Sequence, residues 1–97
     1  MNRNPVVTRD VTVTLKDGLH LTPTSRIVKV AKGYSCDILI HKADRSASAK
    51  SPLDILTLGA ECGSILTLEA TGENAAEAIA ALADLFANNF PPAAEME

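Results

Sequence analysis

At 97 residues, 46% of them hydrophobic and 22% charged, the chain has the composition of one small folded domain and not of a disordered segment. A formal net charge of −3, with Tyr34, Phe86 and Phe90 as the whole aromatic set, excludes a basic nucleic-acid-binding surface and an array of base-stacking rings. Cys36 and Cys62 are too few for a disulfide scaffold and lack the paired spacing of a zinc site; with no signal-like or membrane-spanning apolar run, a cytoplasmic protein with free thiols is expected.

The first residues, about 1–6, are polar, contain Pro5 and predict a flexible arm. From about Val7 to Lys16 the chain alternates, with Val11, Val13 and Leu15 on one side and Thr12, Thr14 and Lys16 on the other, which predicts a half-buried strand. The turn signal Lys16-Asp17-Gly18 ends it. After His20 the period becomes helical. Leu21, Ile27, Val28, Val30 and Ala31 fit a buried face, Arg26, Lys29 and Lys32 fall towards solvent, Pro23 is tolerated in the first turn and Gly33 stops the helix.

A second strand follows in "SCDILIH", with Cys36, Ile38 and Ile40 sharing a face; "KADR" turns the chain and "SASAK" suits a short strand of small residues. Ser51 then reads as an N-cap, Pro52 as the first helical residue and Asp54 as a first-turn acid, opening a short helix with Leu53, Ile55, Leu56 and Leu58 nearly all round it and Gly59 at its end. "SILTLEAT" is the last strand, with Leu66, Leu68 and Ala70 on one side. In the final helix Asn74 and Glu77 have the spacing of a capping box, Ile79, Leu82 and Phe86 mark the buried stripe, and Pro91 and Pro92 forbid continuation into a frayed tail over 91–97. The order β-α-β-β-α-β-α in a single domain over 1–97 gives a two-layer α/β sandwich with its helices on one face.

His20 stands at the mouth of the first helix. Neutral imidazole is nucleophilic, and a helix N-terminus offers unpaired amides and the positive end of a dipole. The amides of Leu21 and Thr22 and the hydroxyls of Thr22, Thr24 and Ser25 therefore sketch a cradle for a phosphoryl group on the ring. A histidine that only caps or packs beside the helix fits the same residues. No metal site is expected, because His41 is distant in sequence and no acid has ligand-like spacing from His20. Signatures of a nucleophilic triad or a Gly-rich phosphate loop are missing.

The segments "GLHLTP", "VKVAKGY", "SASAKSPLDILTLGAECG" and "ATGEN", in this order and spacing from about Asp10 to Phe90, resemble the HPr family of phosphocarriers in the phosphoenolpyruvate-dependent sugar phosphotransferase system. The resemblance implies an open-faced sandwich, a four-stranded antiparallel sheet with three helices on one face. It implies that Nδ1 of His20 accepts a phosphoryl group from enzyme I and passes it to EIIA domains, with no cofactor and no catalysis of its own. Transient complexes of this kind suit a monomer without membrane insertion. One position departs: the family motif has an arginine where this chain has Thr22. Arginine offers a charged fork and threonine one hydroxyl. That departure keeps a second function open, a regulatory module that binds partner proteins without carrying phosphate.

Ser51 carries two roles, the N-cap and, by resemblance, the site of regulatory phosphorylation by an HPr kinase/phosphorylase. The apolar second helix leaves Leu53 and Leu56 for a docking patch beside His20. Ser25, Lys29 and Lys32 would border it and attract acidic partners.

Overall fold

The computed structural model describes residues 6–91. The expected arm and tail therefore lie mostly outside the described residues, but Val6 already belongs to a strand and Pro91 is placed. In chain order the elements are β1 (Val6–Thr12), α1 (Leu21–Lys32), β2 (Asp37–Lys42), β3 (Arg45–Ser48), α2 (Pro52–Thr57), β4 (Ile65–Thr71) and α3 (Ala75–Ala87). The four strands form one sheet in the order β1-β4-β2-β3, with every neighbouring pair antiparallel.

Alternation along each strand decides which face is covered. Ile38 and Ile40 of β2, Ala47 of β3 and Leu66, Leu68 and Ala70 of β4 are buried, together with Ile27, Val28 and Ala31 of α1, Ile55 of α2 and Ala78, Ile79, Leu82 and Phe86 of α3. The intervening strand residues form the open face, where Thr67 donates to Asp10 Oδ1 at 2.7 Å across the β1/β4 register. The same face holds His41, whose Nδ1 and Nε2 lie 2.7 Å from Ser46 Oγ and 2.8 Å from Glu69 Oε1.

Several local expectations give way to tertiary geometry. The first strand ends at Thr12, short of Lys16, because Val13 leaves the regular ladder: its amide donates to Ser64 O and its carbonyl accepts from Gly63. Leu21, placed by periodicity in the buried face, is 64% exposed, and Thr24 takes the interior position at 0%. Advancing about 100° per residue, Thr24 falls in the middle of the stripe made by Pro23, Ile27, Val28 and Ala31, whereas Leu21 falls on its margin at the helix mouth. Asn74 occupies the N-cap position of α3 but is left-handed (φ 63°) and makes no side-chain cap bond, so the capping box with Glu77 does not form. The helix stops before the prolines. Asn89 and Phe90 both take positive φ, the Phe90 amide returns to Leu85 O at 2.7 Å, and the Phe90 ring meets Phe86 edge-on at 4.8 Å.

Candidate phosphoryl-acceptor site

The approach to His20 is built by a glycine. Gly18 has φ +71°, and its open side faces the α2–β4 loop so closely that a Cβ would lie 2.5 Å from Ala60 O. The next residue, Leu19, donates its amide to that same carbonyl at 2.9 Å and buries its side chain in the core. The His20 amide turns back to Gly18 O at 3.0 Å, and the His20 carbonyl accepts from Thr24 N–H at 3.1 Å as the first bond of α1. The backbone on both sides of His20 is thus fixed, while its side chain is exposed and makes no cap bond. Neither ring nitrogen has a hydrogen-bond partner among the described residues.

At the helix mouth the amides of Leu21 and Thr22 have no acceptor among the described residues, and Pro23 has no N–H to offer. The first turn contains no acid, and Lys29 and Lys32 lie in the last turn, where they complement the other end of the dipole. This arrangement can receive an anion attached to the ring.

The expected hydroxyl cradle is smaller than the sequence suggested. Thr24 Oγ1 faces the buried Leu19 carbonyl at 3.4 Å and its amide is spent on His20 O, so Thr24 offers neither polar group to the surface. Ser25 is exposed, and its hydroxyl donates to Thr22 O at 2.9 Å. Leu21 and Thr22 stay at the mouth. Arg26, on the same helix face one turn beyond Thr22, donates from Nη1 to the carbonyl of Pro91. No local pattern predicts that pairing, since the partner lies in a segment expected to fray.

Ser51 is half-buried at the N-cap of α2, where its Oγ accepts the Asp54 amide at 3.4 Å and Pro52 fills the first position. Ser51→Ala is expected to lower stability by about 1 kcal/mol, read from urea denaturation at an unchanged m-value. In α2 Ile55 turns inward, while Leu53 and Leu56 are 74% and 36% exposed; Lys29 and Lys32 are exposed on α1, which packs against α2. Among the described residues no three His, Cys, Asp or Glu side chains gather into a metal-binding group, and no helix is long and apolar enough to cross a membrane.

The His41 cluster is a site that sequence reasoning passed over, beyond setting it aside as a metal ligand. Strand alternation puts His41 on the open face, but the cross-strand register that brings Ser46 and Glu69 to it is a product of the fold.

A family model described as "PTS HPr component phosphorylation site" matches residues 7–88. The chain is similar to the phosphocarrier protein HPr of Vibrio cholerae, at 39% identity over 71 residues, covering 73% of this chain and 84% of the relative. It is also similar, at 36% identity over 84 residues, to the phosphoryl donor subunit DhaM of a PEP-dependent dihydroxyacetone kinase from Pantoea ananatis, covering 84% of this chain but 18% of that longer relative. The crystal structure of HPr from Bacillus anthracis superposes with a TM-score of 0.81 at 36% identity, over 86% of this chain and 99% of that one. By sequence over most of its length and by fold, the chain belongs to the HPr family of phosphocarrier proteins.

Proposed function

We propose that His20 is the phosphoryl acceptor and donor of this phosphocarrier, taking the group from enzyme I and delivering it to EIIA domains. The observation that carries this assignment is an exposed imidazole with no hydrogen-bond partner among the described residues, at the mouth of α1 beside the open amides of Leu21 and Thr22. In the transfer, the lone pair of Nδ1 attacks phosphorus, the N–P bond forms and the bond to the donor breaks, its electron pair leaving with the donor. The same step runs in reverse towards the next acceptor. Leu21 and Thr22 receive the anionic oxygens through their amides, and the partner supplies the remainder of the transfer site.

Leu53 and Leu56, bordered by Ser25, Lys29 and Lys32, form the docking surface in this assignment, with apolar contact at the centre and positive charge at the rim steering acidic partners. Ser51 is the regulatory position. Its phosphorylation by an HPr kinase/phosphorylase would add negative charge beside Leu53 and oppose docking. The carrier acts as a cytoplasmic monomer in transient complexes.

Incubation with labelled phosphoenolpyruvate and the cognate enzyme I is expected to leave one acid-labile, alkali-stable phosphate per chain. The absence of label, where a standard HPr is labelled, excludes the carrier role. Thr22, which stands where the family has arginine, favours one alternative: a regulatory module that binds partner proteins through the same face without carrying phosphate.

A further inference from the structure

A phosphoryl group on His20 brings up to two negative charges to a helix mouth that offers two open amides and one hydroxyl. The first turn contributes no cation. Lys29 and Lys32 are in the last turn, and Lys29 stands roughly 10 Å along the axis from Thr22. Arg26 is different. It lies one turn above Thr22 on the same face, and side chains on an α-helix lean towards its N-terminus. Arg26 is half-buried as a residue, and its guanidinium is held at Pro91 O through Nη1 in an exposed bond, which engages one nitrogen of a group that carries five N–H donors. A neutral carbonyl is also a weaker acceptor than a phosphoryl oxygen.

We propose that Arg26 is the guanidinium that binds the phosphoryl group on His20, reaching it from one turn along α1 while Pro91 limits its freedom. This deepens the assignment of His20 as the phosphoryl acceptor and rests on it. Arg26 touches the transferred group and offers two parallel N–H donors to its oxygens. Its tie to Pro91 reduces the side-chain entropy lost on binding. Thr22 adds a hydroxyl below it. The charge that the family motif places at position 22 is supplied in this chain from position 26.

The test uses phosphoramidate, which phosphorylates imidazole with loss of ammonia and needs no partner protein. The 31P resonance assigned to phospho-His20, by its disappearance in His20→Ala, is titrated with pH in the wild-type chain, in Arg26→Ala and in Arg26→Lys. A guanidinium in contact favours the dianion, so Arg26→Ala is expected to raise the midpoint of the phosphoryl titration by about one pH unit or more. Arg26→Lys is expected to recover part of that change, and Arg26→Ala/Thr22→Arg most of it. Lys29 on α1, Asp54 on α2 and Glu61 in the α2–β4 loop are the same in all these chains, so the difference isolates position 26. Coincident midpoints in the wild type and Arg26→Ala, with both chains folded, would overturn the assignment of Arg26. Failure of enzyme I to label the wild type, where a standard HPr is labelled, would instead strike the carrier assignment on which the role of Arg26 rests.

Discussion

The His20→Ala chain is expected to accept no phosphoryl group from enzyme I, within detection, while melting within about 4 °C of the wild type. These two outcomes are linked by the same geometry. Replacing a helix N-cap by alanine ordinarily costs about 0.5–2 kcal/mol because a side-chain bond to the first turn is lost. His20 makes no such bond, its side chain is exposed, and the backbone bonds around it survive the substitution. The expected change is about 0.5 kcal/mol or less. His41 does not substitute as an acceptor: it lies on the open face of the sheet, and both its ring nitrogens are already hydrogen-bonded, to Ser46 and Glu69. Radiolabelling from phosphoenolpyruvate and a thermal melt on the same sample check both parts. Retention of the protein's cellular effect in His20→Ala would favour the regulatory module over the carrier.

Gly18→Ala is expected to have the opposite profile, a large loss of stability from the smallest possible side chain. An L-residue at φ +71° is strained by about 1–2 kcal/mol. The new Cβ would also lie 2.5 Å from Ala60 O and 3.0 Å from Glu61 Cα, both backbone atoms that cannot rotate away. Relief requires the α2–β4 loop to withdraw, and withdrawal stretches the bond from Leu19 N–H to Ala60 O. A total of about 2–4 kcal/mol is expected, which for a domain of this size lowers Tm by roughly 10–25 °C in calorimetry. Gly59→Ala provides the control. Gly59 also has positive φ (+64°), but nothing lies within 4 Å of its Cβ position, so strain acts there without a clash and the loss should be clearly smaller. Equal losses at the two glycines would show that the Gly18–Ala60 approach contributes little.

The element order was legible because each element announces itself locally. Ile38 and Ile40 alternate on β2 with Cys36 buried just before it, Leu66, Leu68 and Ala70 alternate on β4, and Ser51-Pro52 marks the start of α2. The errors fall where a long-range contact outranks a local preference. Val13 leaves the ladder for Ser64 and Gly63, and Thr24 fills the interior where periodicity favours a larger apolar residue three positions earlier, Leu21. Asn74 was a sound capping residue on propensity, yet the chain arrives at α3 in a left-handed conformation from which its side chain makes no cap bond. At the candidate site, His20 and its adjacent amides could be named from spacing. The Arg26–Pro91 tie and the Gly18–Ala60 contact join residues far apart in the chain, and no periodicity encodes them.

The strand order also dictates a timetable for assembly. β2 and β3 are joined by the Ala43-Asp44 turn and can zip as soon as both have been synthesised. β1, made first, pairs among the described residues with β4 alone, so Val6 waits for Thr71 and Thr12 for Ile65. Closing that distant pairing carries the loop entropy of most of the chain, which makes the docking of β4 between β1 and β2 the natural bottleneck. The Gly18–Ala60 approach joins the same two parts of the chain, so the histidine platform is expected to form with the β1–β4 pairing and not before it.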